Sequence, residues 1–427
     1  MNHDEPSEHV RPDAGTTRPR LTVLAGFHRD ACQAVVQQLM TADPELLVVE
    51  HDLHELQGGV VRRTVRAGGL VLQDVAVALV HGCVSCTIRE DVLPTLARLA
   101  ANSPERGQVL VVPPSVEPDT VVAAAEYCLI DGAPLTDQVQ IESVVTVVDA
   151  DTILADTSTM EALDQRGRAA AGQDGRGVAE TVIRQMEGAD TILVHAVGVD
   201  RYRIAEATAL SERLAPWARV LVAGPDAPGP TARLPLHGRL RGRIRYSPDV
   251  PEAVARGLAG FEVGECAHQP DCGVVSTLFH ARRPFHPARL HAALPSLSGS
   301  ALRVRGHSWI STQPDLVIGW DGAGGSLTLG TLDRWLAAVP DEQWPKAGPQ
   351  RQVAATLEWD PYFGDRSTRL AFIGFELDTV QLHEQLQSCL LSDDELADGQ
   401  ERWSRLPDPF GDSFTAHEDP PVVDTRA

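Results

Sequence analysis

The sequence is almost devoid of lysine. Its 427 residues include 37 basic side chains, of which only Lys346 is a lysine and all the others are arginines. A Schiff-base lysine, and the lysine that grips phosphates in a P-loop, are therefore excluded from every position before it. Any phosphate contact in that part of the chain must use arginine, histidine or backbone N–H groups.

Long apolar segments and an excess of positive charge are missing as well. No run of 18 apolar residues occurs and the first 20 residues are polar, so neither a membrane span nor a secretion signal is predicted. The seven cysteines are odd in number and scattered, which predicts a cytoplasmic protein with reduced thiols. The net charge of −22 predicts no direct DNA binding, because phosphate contacts need a cationic surface, and favours a protein partner.

Short apolar, β-branched segments alternate with helical periodicity up to about residue 240. The strand-like segments include LTVLAG (21–26), LLVVEHD (46–52), GLVLQDVAVALVHG (69–82) and SVVTVVDA (143–150), and residues 88–102 are helix-like. This alternation predicts a parallel α/β sheet with helices on both faces. Strand-like segments with turn signals follow, which predicts a smaller and mostly antiparallel α+β domain.

The composition also predicts where the parts of the chain begin and end. We expect a disordered tail over 1–20, the α/β domain over 21–240, a linker over 241–272, the α+β domain over 273–391 and a weakly ordered acidic tail over 392–427. One continuous sheet running across the predicted linker would contradict this division.

The turn after the first strand is where an open α/β sheet usually binds phosphate. A phosphate-binding loop needs small residues, a lysine, and a serine or threonine for Mg²⁺. Here Cys32 and Gln33 take the places of the last two, and Asp30 would repel phosphate. Either the turn is structural and binds no nucleotide, or it binds nucleotide weakly through the helix N terminus. The residues of this loop are Gly26, Phe27, His28, Arg29, Asp30, Ala31, Cys32 and Gln33.

A C-x-x-C pair gives the strongest local signal. Cys83 and Cys86 follow a strand and precede a helix, so one turn presents two thiols to a soft metal such as zinc. A redox pair and two unrelated buried cysteines are the alternatives. His81 is adjacent, and His51 and His54 form an H-x-x-H after the second strand, although loop histidines are more often solvated than metal-bound.

A second group of metal-binding residue types lies near the domain junction. Cys266, His268 and Cys272 are close in sequence, but their spacing fits no common zinc pattern. We therefore expect metal at the C-x-x-C turn and not at this group.

In its order of segments the chain resembles the CobW-type metallochaperone GTPases over roughly residues 21–411. LAGF (24–27) is similar to the opening of the family's P-loop, and GCVSCTIREDVL (82–93) to its metal motif, with Ser85 replacing the middle cysteine. The remaining similar segments, in the family's order, are SVVTVVDA (143–150), RRPFHPARL (282–290), RVRGHSWI (303–310), GDRSTRLAFIG (364–374) and DPF (408–410). The resemblance implies a doubly wound, P-loop-like G domain followed by a smaller CobW-type α+β domain.

Three elements that the family uses for GTP are altered together. The P-loop lysine position holds Cys32. The switch sequence reads PPSVEP (113–118), without the carboxylate that would help to hold Mg²⁺ or water. The guanine-reading Asn-Lys-x-Asp reads HAVG (195–198), without the carboxylate that accepts the guanine protons. The resemblance therefore implies a degenerate G domain that binds GTP and Mg²⁺ weakly or not at all, and argues against a GTPase.

Loss of the GTP elements with a kept thiol pair resembles a divergent branch of the family in high-GC bacteria. The resemblance implies a zinc-responsive adaptor that recruits a ribosome hibernation factor to the small ribosomal subunit under zinc limitation. The alternative is a nucleotide-binding zinc metallochaperone that delivers metal to a client protein. A thiol oxidoreductase fits less well, because the flanking segments are not thioredoxin-like.

An extended metal site is a further expectation. If the first turn and the thiol turn meet at the carboxyl edge of the sheet, the Cys32 sulfur approaches Cys83 and Cys86. His28 or His81 would then complete a Cys₃His zinc site. The alternative is that Cys32 is a buried helix residue, and that zinc binds the C-x-x-C pair with water or a partner's ligand.

Overall fold

The computed structural model describes residues 18–170, 174–224, 235–241, 244–248, 250–265 and 267–414. Most of the tail expected over 1–20 lies outside these residues, but Arg20 already begins the first strand. Within the described residues, none of the helices has both the length and the apolar character needed to cross a bilayer.

An eight-stranded sheet organises the first domain in the described part of the chain. Its strands, with a small separate ribbon of β6 and β7, are β1 (Arg20–Ala25), β2 (Leu47–Asp52), β3 (Val60–Ala67), β4 (Leu70–Ala78), β5 (Gln108–Val111), β6 (Leu129–Ile130), β7 (Ala133–Pro134), β8 (Gln140–Asp149), β9 (Thr191–His195) and β10 (Arg219–Ala223). The order across the sheet is β10-β9-β8-β1-β5-β2-β3-β4. Neighbouring strands from β10 to β2 are parallel, which confirms the predicted α/β fold.

Helices cover both faces of this sheet. They are α1 (Arg29–Ala42), α2 (Val84–Thr87), α3 (Leu93–Asn102), α4 (Pro118–Tyr127), α5 (Ile153–Ser158), α6 (Val178–Glu187), α7 (Arg201–Leu214) and α8 (Leu236–Leu240). The pleat of β1 sends Val23 into the core beneath α3 and α4, and Leu24 into the core beneath α1 and α8. The first turn and the thiol turn therefore pack against opposite faces of the sheet.

One edge of the sheet differs from the parallel arrangement that we expected. β3 runs antiparallel to β2, and β4 runs antiparallel to β3. Gly68 and Gly69 join β3 to β4, and both have positive φ, as a tight hairpin turn requires. We did not predict β3, because the arginines in its sequence VVRRTVRA (60–67) interrupt the apolar pattern of a buried strand.

A second, antiparallel sheet forms the C-terminal domain, in the order β11-β12-β16-β13-β14-β15. The elements are β11 (Ala267–Asp271), β12 (Val274–Ala281), α9 (Pro287–Ser298), β13 (Arg303–Ser308), β14 (Leu316–Ala323), β15 (Ser326–Arg334), α10 (Pro349–Leu357), β16 (Thr368–Phe375), α11 (Thr379–Cys389), α12 (Asp393–Ala397) and α13 (Gln400–Trp403). The two sheets are separate, which confirms the predicted α+β domain after the α/β domain.

The boundaries of this second domain are wider than expected. β11 lies inside the predicted linker 241–272 and pairs with β12. The predicted weakly ordered tail 392–427 begins with α12 and α13, and Phe410 and Phe414 are buried in the core of the second sheet. Phe410 and Phe414 contribute buried apolar area, which the acidic composition of the segment 392–427 did not indicate.

A buried ion cluster joins the two domains. Glu187, the last residue of α6, accepts two hydrogen bonds of 2.7 Å from Arg303 and is also ion-paired to Arg305. Burial alone would raise the pKa of Glu187, but the two arginines hold it below its usual value. Because all three side chains are buried, the charge of Glu187 is compensated by the two arginines, and Arg303 is also ion-paired to Asp321.

Candidate functional site

The turn between β1 and α1 borders a cleft of about 490 Å³ at the carboxyl ends of the parallel strands. Gly26 and Cys32 line it from the first turn, Glu50 and Asp52 from the end of β2, and residues 111–115 from the end of β5. This is the position at which open α/β sheets bind ligands. The structure therefore places the predicted nucleotide loop on a cleft. The burial and the partners of the loop side chains determine which ligands the cleft can bind.

Cys32 is buried beneath the loop. Its sulfur lies so close to Gly26 that a β-carbon there would be 2.6 Å from it, and 2.7 Å from the carbonyl oxygen of Val147. Burial, together with the charge of Glu50, raises the pKa of the Cys32 thiol to about 12. The side chain at the lysine position is thus a protonated core thiol that offers no charge to a phosphate.

Gln33 is held by neighbouring side chains. Its amide donates a hydrogen bond to Glu50 and accepts one of 2.9 Å from Arg66, and Arg66 is ion-paired to Glu50. In this network the guanidinium of Arg66 neutralises the carboxylate at the end of β2. The position from which a hydroxyl would reach Mg²⁺ is occupied by an amide that already has two partners.

The remaining loop residues contact the protein or solvent. His28 Nε2 lies 2.6 Å from Asp156 Oδ2 and 2.9 Å from Thr152 Oγ1, so its ring is directed towards α5. Arg29 lies 3.5 Å from Asp52 in an exposed ion pair, and Asp30 is exposed. Phe27 and Ala31 are buried in the core.

The thiol turn is placed by close packing and an interrupted helix. A β-carbon at Gly82 would lie 2.1 Å from the carbonyl oxygen of Leu56, so only glycine fits before the thiol pair. The helix expected over 88–102 consists of a π-helical segment over Ile88–Val92 and of α3, and the short α2, which carries Cys86, precedes it. π-Helical segments are frequent at functional sites.

The two thiols face each other across one helical turn. Cys83 caps α2, and its sulfur accepts a hydrogen bond of 3.2 Å from the backbone N–H of Cys86. Hydrogen bonding to Cys86, through its side chain and its backbone, lowers the pKa of Cys83, whereas the same thiol pairing raises the pKa of Cys86. Both are free cysteines. Cys83 is half-buried and the neighbouring Ser85 is exposed, whereas Cys86 is buried, so the turn is reached from solvent at Cys83.

The structure does not bring the extended metal site together. Cys32 belongs to the core under α1, whereas the helix after Cys86 packs on the other face of the sheet, and His28 is engaged by Asp156. His81 is exposed beside the thiol turn. Over the described ranges, no group of three or more His, Cys, Asp or Glu side chains is arranged to hold a metal ion. Cys266, of the second Cys/His group, lies outside them.

A buried network behind the thiol turn was not anticipated from the sequence. Asp91, in the π-helical segment, is ion-paired to Arg63 and lies 2.8 Å from His51 Nε2. Arg63 also donates a hydrogen bond of 2.8 Å to Thr95. His51 lines the cleft, so one side chain lies between the cleft and the helix that carries Cys86. The charged residues Arg89, Glu90 and Asp91, which follow the cysteines, were the sequence feature that could have indicated this network.

The two other altered GTP elements are fixed by neighbouring side chains. Arg176 donates a hydrogen bond of 2.7 Å to the carbonyl of Ser115 and lies 3.1 Å from Glu117, while Gln185 donates to two further carbonyls of the segment 113–118. After β9, His195 Nδ1 lies 3.7 Å from Asp149 Oδ2, and the proximity of His195 is the main cause that lowers the pKa of Asp149. These contacts occupy polar groups that would otherwise be available to a ligand.

Two family profiles match this chain. The CobW/HypB/UreG nucleotide-binding domain matches residues 33–219, and the cobalamin synthesis protein CobW C-terminal domain matches residues 274–390. The zinc chaperone Rv0106 of Mycobacterium tuberculosis is 35% identical over 384 residues, which cover 88% of each chain. The chain belongs to the CobW family. A second relative, the zinc-regulated GTPase metalloprotein activator 1 of Dictyostelium discoideum, is 30% identical over 79% of this chain and 70% of its own length.

Proposed function

We propose that this CobW protein is a cytoplasmic, zinc-responsive adaptor that binds a protein partner and does not hydrolyse GTP. The observation that carries the proposal is the first turn: Cys32 is a buried neutral thiol, and Gln33 is bonded to Glu50 and Arg66. A loop whose lysine and hydroxyl positions hold a neutral thiol and an amide with two partners, and whose Arg29 is ion-paired to Asp52, lacks the groups that phosphoryl transfer uses.

Zinc fits the donor chemistry of the thiol turn. Cys83 and Cys86 can supply two thiolates from one turn, and the lowered pKa of Cys83 favours its thiolate form. A tetrahedral zinc ion needs two further ligands, which water or a partner protein would supply. A half-complete ligand set suits a site that gains and loses metal as its concentration changes.

The partner that we propose is a ribosome hibernation factor or the small ribosomal subunit. The support is the resemblance of the sequence to a branch of the family in which GTP elements are lost and a C-x-x-C is kept. The net charge of −22 also favours a basic protein surface over bare RNA. Binding of zinc at the thiol turn would then alter the docking surface according to how much zinc is available.

Two measurements test this proposal. Calorimetry with GTP and MgCl₂ should detect no micromolar binding, and a phosphate-release assay should detect no turnover. Co-sedimentation with small ribosomal subunits and hibernation factor should differ between zinc-loaded and zinc-free protein, and the Cys83→Ser variant should not respond to zinc. Micromolar GTP affinity with Mg²⁺-dependent turnover would overturn the non-enzymatic assignment.

The second candidate is a zinc metallochaperone that hands metal to a client protein. The thiol turn favours it, because Cys83 is reached from solvent and a client thiol or imidazole could complete the zinc coordination there. The names of the two relatives, a zinc chaperone and a metalloprotein activator, are consistent with it. Faster transfer of zinc to a chelating client peptide on adding GTP would favour this candidate over the adaptor.

A further inference from the structure

The eight-stranded sheet is open at the edge formed by β4. β4 pairs with β3 on one side, and in the described part of the chain no strand pairs with its other side. The backbone N–H of Leu79 donates a hydrogen bond of 2.8 Å to the carbonyl of Gly59. Because successive residues of an antiparallel strand alternate in direction, the N–H and C=O groups of Asp74, Ala76 and Ala78 point away from β3. Neither the family profiles nor the proposed function assigns this edge a role.

A bulge limits how much of β4 can pair with another strand. The ladder to β3 is regular from Gln73 to Ala78, but Leu72 has no partner on β3. A bulge twists its strand and interrupts regular pairing. A second strand can therefore follow β4 over the segment 73–79, whose midpoint is Ala76.

The open edge is apolar and almost without charge. Five aliphatic side chains, between 41% and 78% exposed, are Leu70, Val71, Leu72, Val75 and Val80. Proteins usually protect an edge strand with charged residues or proline. Residues 70–80 contain no proline, and Asp74 is their one charged residue. The edge therefore combines free backbone groups with apolar surface, which favours strand pairing.

The other edges of the two large sheets are protected. β10 has no exposed residue. β11 contains Pro270, which has no N–H to donate. β15 alternates polar residues with Leu327 and Leu329, which pack against the core, and it ends with the charged residues Asp333 and Arg334. Among the described edges of these sheets, β4 is therefore the one at which a partner strand is expected.

The charge of this edge favours a second copy of the chain as the partner. Arg62 on β3 neutralises Asp74 through hydrogen bonds of 2.6 and 2.7 Å. A basic or an acidic partner strand would therefore find no uncompensated opposite charge along β4. Two copies with a net charge of −22 each repel one another, and a neutral edge is where they can approach with the least repulsion.

β4 is also complementary to itself when two copies run antiparallel about an axis at Ala76. In this register Val75 of one copy lies opposite Val77 of the other, and Asp74 lies opposite Ala78, so that no charge faces a like charge. The outward groups of residues 74, 76 and 78 then meet as hydrogen-bonded pairs. An axis at Asp74 would instead place two carboxylates opposite each other, which is unfavourable.

We propose that β4 of one copy pairs antiparallel with β4 of a second copy about a two-fold axis at Ala76, so that the two eight-stranded sheets become continuous. Each pairing occupies the open edge of both copies, so assembly stops at a dimer. Because the paired strands run in opposite directions, the two thiol turns that follow them lie at opposite ends, and each keeps its own zinc site. One pair of edge strands buries less surface than a standard interface, so the expected dissociation constant is micromolar.

Sedimentation velocity of the full-length protein between about 1 and 100 μM tests the dimer, with a chelator present so that zinc cannot bridge two copies. The mass should rise with concentration from 46.0 kDa towards twice that value. Ala76→Glu gains a carboxylate opposite Arg62 of its own copy, but two carboxylates then meet on the axis. Its dissociation constant should rise at least about fivefold. The matched control is Val353→Glu on α10, which adds the same charge at an exposed valine and should dimerise like wild type.

Cross-linking tests the register separately. In Ala76→Cys two thiols meet on the axis with their α-carbons about 5.5 Å apart, so mild oxidation should give a disulfide-linked dimer. In Ala78→Cys, the matched control on the same face of β4, the two α-carbons are about 14 Å apart and cannot be bridged.

Three results would overturn the proposal. They are a wild-type protein that stays monomeric at about 100 μM, equal dissociation constants for Ala76→Glu and Val353→Glu, and equal cross-linking of the two cysteine variants. Because the dimer is measured without zinc, its failure is distinguishable from failure of the zinc proposal.

Discussion

The sulfur of Cys32 lies directly against Gly26, where a β-carbon would be only 2.6 Å from it. This contact turns the lysine position of the loop into part of the core. In Cys32→Lys, a longer charged side chain would have to leave this packing or bury its ammonium next to Val147.

We therefore expect Cys32→Lys not to bind GTP, and to lose about 2–4 kcal/mol of unfolding free energy. Calorimetry with GTP and MgCl₂, and urea unfolding, measure the two effects. Cys32→Ser is the control for loss of the thiol without added charge. Micromolar GTP affinity of Cys32→Lys would mean that the rest of the loop is intact and that Gln33 does not obstruct the site.

Zinc affinity should depend on two of the cysteines. Cys83→Ser and Cys86→Ser should each weaken zinc binding by at least about tenfold, because each removes one thiolate ligand. Cys32→Ser and the half-buried Cys128→Ser should bind zinc like wild type. A competition titration against a chromogenic chelator measures all four variants, and a loss of affinity in Cys32→Ser would revive the three-cysteine site.

The network behind the thiol turn should contribute strongly to stability. Asp91→Ala leaves Arg63 buried without its carboxylate, and we expect a loss of about 3–5 kcal/mol. Asp74→Ala removes an ion pair to Arg62 that is fully exposed, and should not change the urea midpoint measurably. Similar midpoints for the two variants would show that the buried ion pair does not stabilise the fold.

Asp119 should make the stability of the protein depend on pH. Its pKa of about 7 exceeds that of the unfolded chain, so the folded state binds a proton that the unfolded state releases. The stability that this proton contributes is present at pH 4 and is lost as the pH rises through 7.

Asp119→Asn should therefore become more stable than wild type towards pH 8, by up to about 4 kcal/mol, and this advantage should shrink towards pH 4. Thermal unfolding at intervals between pH 4 and pH 8 measures the difference, and Glu384→Gln should show none of this trend. An advantage that does not vary with pH would contradict the raised pKa of Asp119.

The sequence carried enough information for the architecture of both domains. Strands such as SVVTVVDA (143–150) are buried on both faces, and an unbroken β-branched run reports this environment directly. β3 escaped prediction because Arg63 and Arg66 are satisfied by carboxylates that come from other parts of the chain. Local pattern cannot show such pairs, since their partners are distant in sequence.

The site was only partly predictable, because some of its contacts join residues that are close in sequence and others join residues that are distant. The C-x-x-C turn is local, and its two thiols meet as the spacing of the cysteines requires. The position of Cys32 depends on which face of β1 its helix packs against, and that choice follows from the whole sheet. The environment of Asp119 could not be predicted, because its carboxylate packs against Gly188, which is distant in sequence.

The carboxylate of Glu187 and the guanidinium groups of Arg303 and Arg305 also determine how the chain can be divided. A fragment that ends near residue 240 keeps the carboxylate without either arginine, and a fragment that begins near residue 267 keeps both arginines without Glu187, although Asp321 still pairs with Arg303. Exchange of one domain for that of a relative must therefore preserve both sides of the cluster.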